Sequence, residues 1–271
     1  NIITIKYPIS MGFFYFYTFI IQCKMNIKHY LDSTYLKTAA QANLSEKENT
    51  DVVINCIQEA IDNDFKLIMI RPDKVALAKK MIQEANSKVT IGTVIDFPFG
   101  NGTLEEKLAE AKQAIENGAD DLDYVIDYEA FKKGEIESVK EQVVQGTKLG
   151  LAHNKIVKWI IEVAALDNHQ IVQLSALIKN VVIANFSEKE YEKVFVKSST
   201  GFYKTPEGMP NGATVPTIKL MLENSFPLPV KAAGGVRTYE EAVEMIQLGV
   251  KRIGTSAAKA IVTGEISNSD Y

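Results

Sequence analysis

Three lysines stand among apolar neighbours in short runs rich in β-branched residues: Lys158 in IVKWII, Lys197 in VFVKSST and Lys231 in PVKAAGG. Taking an ammonium group out of water is costly, and desolvation or a neighbouring cation lowers its pKa from about 10.4 toward neutrality. A neutral amine attacks carbonyl carbon. One such lysine alone reads as an ion pair, or as a chain that carries its charge to the surface. Three in succession point to amine chemistry instead. The acids needed to move protons lie on adjacent runs, Asp121 and Asp123 in DDLDYVID and Glu162 in IVKWIIEV. Residues two apart share a face of a strand, so Asp121, Asp123 and Val125 point one way together, as do Lys158, Ile160 and Glu162. The pattern predicts interleaved carboxylates and ammonium groups, with Lys158 serving mainly as an electrostatic partner.

The runs that hold Lys197 and Lys231 end in glycine. SSTG closes the first (residues 198–201), AAGGVR the second (232–237), and a further run ends in GTS (254–256). Glycine lets backbone N–H groups approach an anion, and Thr238 opens a helix whose N-terminus favours negative charge. A tight turn alone would explain one Gly-Gly pair; glycine in the loops of two consecutive units predicts a phosphate cradle. A phosphate site beside an amine nucleophile implies imine chemistry on a phosphorylated aldehyde or sugar. The protonated imine withdraws electrons, the adjacent carbon becomes acidic, and a nearby carboxylate moves the protons.

Eight runs carry these residues, at 29–34, 66–71, 89–96, 120–127, 156–163, 194–200, 229–236 and 251–256. Each is followed by a loop and then by apolar residues at helical spacing, the alternation of parallel βαβ units. Thr103 with Glu106, and Thr238 with Glu241, form capping boxes that start two of the helices. An open doubly wound sheet would call for G-x-G-x-x-G after its first strand. The nearest approach, Gly100-Asn-Gly102, follows the third run and has Glu105 at the last glycine position. The expected fold is α/β, a single-domain (β/α)8 TIM barrel.

Composition agrees with one large globular domain. The chain has 271 residues, 46% apolar and 24% charged, and its 30 basic and 34 acidic residues give a net charge of −4 with the signs interspersed. No basic footprint for nucleic acid is present. Cys23 and Cys56 cannot build a disulfide framework, and His29, His153 and His169 are too scattered for a metal site, so a reducing, cytoplasmic, metal-free setting is expected. The run MGFFYFYTFIIQ (residues 11–22) falls short of the ~20 residues of a membrane span and lacks the flanks of a signal peptide. Residues 1–24 are therefore expected to be an N-terminal extension outside the barrel. Residues 25–271 are expected to form the barrel domain with a short C-terminal tail.

In these residues the chain resembles the deoxyribose-phosphate aldolase family, class I aldolases of barrel fold, over roughly residues 28–260. FVKSSTGF (195–202) and VKAAGGVRT (230–238) carry the resemblance most specifically. LDSTYLK (31–37), IGTVIDFPFG (91–100) and NGADDLDYVIDY (117–128) support it. The resemblance implies that Lys197 forms the imine, that the charge of Lys231 keeps Lys197 deprotonated, and that Asp123 transfers protons. It also implies that Asp32 and Lys158 surround the site, and that Thr200, Gly201, Gly234, Gly235, Gly254 and Ser256 meet substrate and its phosphate. The reaction implied is reversible cleavage of 2-deoxy-D-ribose 5-phosphate to D-glyceraldehyde 3-phosphate and acetaldehyde, without metal or organic cofactor. A homo-oligomer, a dimer by resemblance, and a cytoplasmic location are implied as well. Met69 and Arg71 depart from the family in the wall expected near the small aldehyde. Val163 replaces a frequent threonine after Glu162, and Ala257 a second serine near phosphate. The terminal Tyr271 matches a tail tyrosine of some relatives. Another class I aldolase, a transaldolase-like enzyme or a non-catalytic sugar-phosphate-binding barrel would share much of this pattern.

Overall fold

The computed structural model of the chain describes residues 26–264. The leader of residues 1–24, Cys23 and the tail with Tyr271 lie outside the described residues. Eight parallel strands follow one another around a closed barrel in chain order. They are β1 (Leu31–Thr34), β2 (Leu67–Ile70), β3 (Thr90–Ile95), β4 (Asp121–Val125), β5 (Ile156–Ile160), β6 (Val194–Lys197), β7 (Val230–Ala233) and β8 (Arg252–Thr255). Pairing of β1 with β8 closes the ring, so no open doubly wound sheet remains possible.

Among the described residues, ten α-helices accompany the strands: α1 (Ala39–Ala42), α2 (Glu46–Asn63), α3 (Val75–Glu84), α4 (Leu104–Glu116), α5 (Tyr128–Lys132), α6 (Ile136–Ala152), α7 (Asn168–Asn185), α8 (Val215–Ser225), α9 (Tyr239–Leu248) and α10 (Ala258–Thr263). Local signals set their ends. Thr103 and Glu106 cap α4 reciprocally, as do Thr238 and Glu241 for α9, and α9 stops at left-handed Gly249. The longer helices turn an apolar stripe to the outer face of the sheet, giving one continuous core that holds Ile57, Leu122, Trp159, Leu174, Ile218 and Ile253.

Every predicted strand is present, but all eight are shorter than predicted, mainly at their C-terminal ends. His29 and Tyr30 belong to a 3-10 turn, Ile27–Tyr30, ahead of β1. Glu162, predicted on the fifth strand, lies beyond β5 with φ of 57°, and Asp96 leaves β3 at 52°. Ser198, Ser199 and Thr200 follow β6, and Gly234 and Gly235 follow β7 at 82° and 91°. Extended pairing cannot continue through a left-handed residue, so the chain turns into loops there. Those loops form one mouth of the barrel.

Inside the barrel, alternate residues face the axis and the parallel register brings them side by side. Lys197 pairs with Lys231, Lys231 with Arg252, and Asp123 with Lys158. The opposite wall is apolar, with Leu36, Leu67, Met69 and Val94 in contact and Phe97 and Phe202 packed on them.

Candidate active site

The charged half of the barrel is a single bonded cluster. Asp123 is its hub: Oδ2 accepts from Lys197 Nζ and Lys231 Nζ, both at 2.9 Å, and Oδ1 accepts from Lys158 Nζ at 2.8 Å. Lys158 also donates to Asp121 Oδ2 at 2.6 Å. Lys231 lies 2.6 Å from Asp32 Oδ2, and Arg252 Nε donates to Asp32 Oδ1 at 2.7 Å. The arrangement brings Lys158, Lys197, Lys231, Asp32 and Asp123 together, and all five are buried.

Counting charges identifies the odd member. Asp32, Asp121 and Asp123 are balanced by Lys158, Lys231 and Arg252, which leaves the cluster neutral only if Lys197 is an uncharged amine. Buried charge without compensation is expensive, so the proton is most easily lost from the cation with least carboxylate. That cation is Lys197, which shares one oxygen of Asp123 with Lys231. Burial pulls Lys197 down to about 8; Asp123 opposes the shift, while Lys231 and Lys158 add to it. Burial works against Lys158 too, but Asp121 and Asp123 outweigh it and hold that lysine above its ordinary value. Despite burial, Lys158, Lys197 and Lys231 hold the Asp123 carboxyl well below the usual range, and Arg252 and Lys231 lower Asp32.

Lys197 forms part of the lining of a cleft at the C-terminal mouth, 3% exposed, while Lys158, Lys231 and Asp123 are shut beneath at 0%. The same cleft is lined by Thr200, Gly201, Gly234, Gly235, Gly254 and Ser256, together with Thr34, Leu36 and Arg237. Thr255 Oγ1 donates to Val236 O at 2.7 Å and ties the last two loops together. A Cβ on Gly254 would lie 3.0 Å from Lys231 Cε, so that glycine also makes room for the lysine. The N-terminus of α9 is less open than the sequence suggests. Its Glu241 carboxylate already accepts from the N–H groups of Arg237 and Thr238 at 2.7 and 3.0 Å.

Glu162 does not join the lysines. Its carboxylate turns to the loop after β6, where Ser199 Oγ donates to Oε1 at 2.8 Å and Thr200 donates to Oε2 through both N–H and Oγ1. Burial raises its pKa against those donors. On the apolar side, Met69 is fully buried beside Leu36, and Arg71 sits over the Phe97 ring at 5.8 Å. Phe97 meets Phe202 edge to face at 4.9 Å. Val163 and Ala257 are buried, Ala257 N donating to Thr255 Oγ1.

Arg252 is the residue that sequence reasoning missed. Its signal was a charged side chain two positions before Gly254 in an apolar strand, hence on the same inward face. Lys107 was missed as well. It is 1% exposed and donates to Gly100 O, Val125 O and Gln142 Oε1 at 2.8 to 2.9 Å, tying the loop after β3 and the end of β4 to α6. Among the described residues no cluster of His, Cys, Asp and Glu is arranged to hold a metal ion, and no helix is long and apolar enough to cross a membrane.

Residues 32–265 match the model of the DeoC/LacD family of aldolases. The deoxyribose-phosphate aldolase of Thermococcus kodakarensis is 39% identical over 89% of this chain and 97% of its own length. That of Streptococcus equi subsp. zooepidemicus is 36% identical over 91% of this chain and all of its own. Among solved structures, the tetrameric deoxyribose phosphate aldolase of Aeropyrum pernix superimposes with a TM-score of 0.70 at 27% identity, covering 88% of this chain and 90% of that one.

Proposed function

The chain belongs to the DeoC/LacD aldolase family, and on that premise we propose that it is a deoxyribose-phosphate aldolase, cleaving 2-deoxy-D-ribose 5-phosphate reversibly to D-glyceraldehyde 3-phosphate and acetaldehyde. The observation that carries this reading is the junction of one cluster-bound amine, Lys197, with the glycine loops in a single cleft.

In the reading, the neutral Nζ of Lys197 attacks C1 of the open-chain aldehyde, and loss of water gives the protonated imine. The imine draws electrons from the C2–C3 bond; the C3 hydroxyl loses its proton, C3 leaves as the aldehyde of glyceraldehyde 3-phosphate, and C2 becomes an enamine carbon. Protonation of C2 and hydrolysis of the imine release acetaldehyde and restore the amine. Asp123 is too strongly held as a carboxylate to store a proton, so it relays them: the Lys231 ammonium gives the proton that departs with water, regains one from the C3 hydroxyl, gives it to C2 and recovers it on imine hydrolysis. Asp32, Lys158 and Arg252 keep that hub charged and aimed. Thr200, Gly201, Gly234, Gly235, Gly254 and Ser256 receive the phosphate, and Leu36, backed by Met69, Phe97 and Phe202, faces the small aldehyde.

Purified protein given 2-deoxyribose 5-phosphate releases acetaldehyde on this account, and Lys197→Met abolishes the release. Turnover with ketone donors but not acetaldehyde would transfer the reading to another class I aldolase or a transaldolase-like enzyme. Phosphate-ester binding with no turnover would leave only a sugar-phosphate-binding barrel. A homo-oligomer, a dimer in the first instance, and a cytoplasmic location complete the reading. Light scattering on the eluted protein tests the former, and fluorescence of a tagged full chain the latter.

A further inference from the structure

Gly212 belongs to none of the motifs that carry the chemistry and does not line the cleft. It lies between β6 and α8, where the chain folds back over the end of β7. A Cβ built on it would stand 2.5 Å from Gly234 Cα, 2.6 Å from Gly234 O and 2.7 Å from Ala233 O. The contact is reciprocal, since a Cβ on Gly234 would meet Gly212 Cα at 2.9 Å. Two backbones therefore touch with no side chain between them, directly behind a loop that faces the cleft.

The returning segment is held from both sides. Ala213 N donates to Ala233 O at 3.1 Å and Gly234 O at 2.8 Å. Asn211 Nδ2 donates to Gly201 O at 3.3 Å, and Ser199 Oγ bonds Asn211 O at 2.7 Å. Ser199 shares its one hydroxyl proton between Asn211 O and Glu162 Oε1, and accepts from Gly201 N at 2.9 Å. The loops after β5, β6 and β7 are thus fastened through Ser199 and the Gly212–Gly234 contact. Gly201 and Gly234, on either side of this seam, both line the cleft that holds Lys197.

We infer that Gly212 and Ser199 are positioning residues that set the spacing of the phosphate-facing loops, and so determine the preference for a phosphorylated substrate. The inference rests on the reading of that cleft as a phosphate site. A methyl group at Gly212 must part the two backbones, and because Asn211 holds the returning segment to Ser199 and Gly201 on its other side, Gly234 yields toward the cleft. Lys197, Lys231 and Asp123 are anchored to strands rather than to this seam, so the amine chemistry stays in place.

The test compares Gly212→Ala with the wild-type chain on 2-deoxyribose 5-phosphate and on 2-deoxyribose, and measures binding of inorganic phosphate by calorimetry. The expected result is a KM for the phosphorylated sugar raised ~10-fold with kcat held within about twofold, kcat/KM for the unphosphorylated sugar held within about twofold, and a Kd for phosphate raised ~10-fold. Parallel losses on both sugars, or an unchanged phosphate Kd, would overturn the inference. Failure of the wild type to release acetaldehyde would instead sink the proposed reaction, and the phosphate titration would still judge the seam; a wild type that binds no phosphate overturns the inference too. If Gly212→Ala does not fold, Ser199→Ala carries the same comparison, with an expected shift of about threefold in the same direction.

Discussion

A lysine becomes a nucleophile here because of the residues that outnumber it. Four cations share three carboxylates, and the one with the weakest claim gives up its proton. With Lys197 at about 8, roughly a tenth of the enzyme holds the free amine at pH 7, and that fraction rises about tenfold per pH unit below the midpoint. The rate under kcat/KM conditions is therefore expected to climb with pH and level off above about 8. Lys231→Met removes a repelling cation and leaves Asp123 to Lys197 and Lys158, so the midpoint should move upward by ~1–3 units. A pH–rate profile checks this; an unmoved midpoint would deny Lys231 its electrostatic role. Arg252→Met should shift the midpoint the same way, because the cluster then needs the Lys197 proton for neutrality. The inward lysines were legible from their apolar neighbours, and the shared face of Asp121 and Asp123 from period-two spacing. Arg252 was not read, because its neighbour Lys251 is exposed and the pair resembles an ordinary solvated strand entry.

At the scale of elements, strand identity was plain in the sequence and strand ends were not. Runs such as LIMI and TIGTVI announce buried strands through β-branched content. Where they stop is decided by Asp96 and Glu162 in left-handed conformations, and by bonds such as Ser198 Oγ to Ala233 O that exist only once β6 and β7 are adjacent. The same long-range logic hid Lys107. It lies four and seven residues before Ala111 and Ala114, on the buried stripe of α4, yet its type suggests a solvated face. Its three hydrogen bonds, to the loop after β3, the end of β4 and the middle of α6, make it structural. Lys107→Met is expected to cost ~3–5 kcal/mol in urea unfolding, with the pH midpoint of catalysis unchanged. A shifted midpoint would place Lys107 in the catalytic cluster. Thr238→Ala, which removes the cap of α9, should cost ~1 kcal/mol.

For the whole molecule, the barrel supplies the dry interior that makes the cluster reactive, and that arrangement works against its stability. The folded pKa of Lys197 lies below its unfolded value of about 10.4, so the unfolded chain binds the extra proton between about 8 and 10.4 and stability rises with pH across that window. Asp32 and Asp123 show linkage of the same sign at lower pH. Their folded values lie below about 3.9, so the stability they contribute is full above that pH and is lost as pH falls through the folded values. Lys197→Met should consequently unfold at a urea concentration no lower than the wild type at pH 7, whereas Lys231→Met, which strips Asp32 and Asp123 of a shared cation, should unfold earlier. The central claim is that one amine in this interior forms a covalent imine. Incubating the protein with acetaldehyde and borohydride, then mapping the digest by mass, tests it most directly. The account predicts one ethyl group, on Lys197, absent from Lys197→Met and accompanied by loss of activity; modification at other lysines with Lys197 untouched would contradict it.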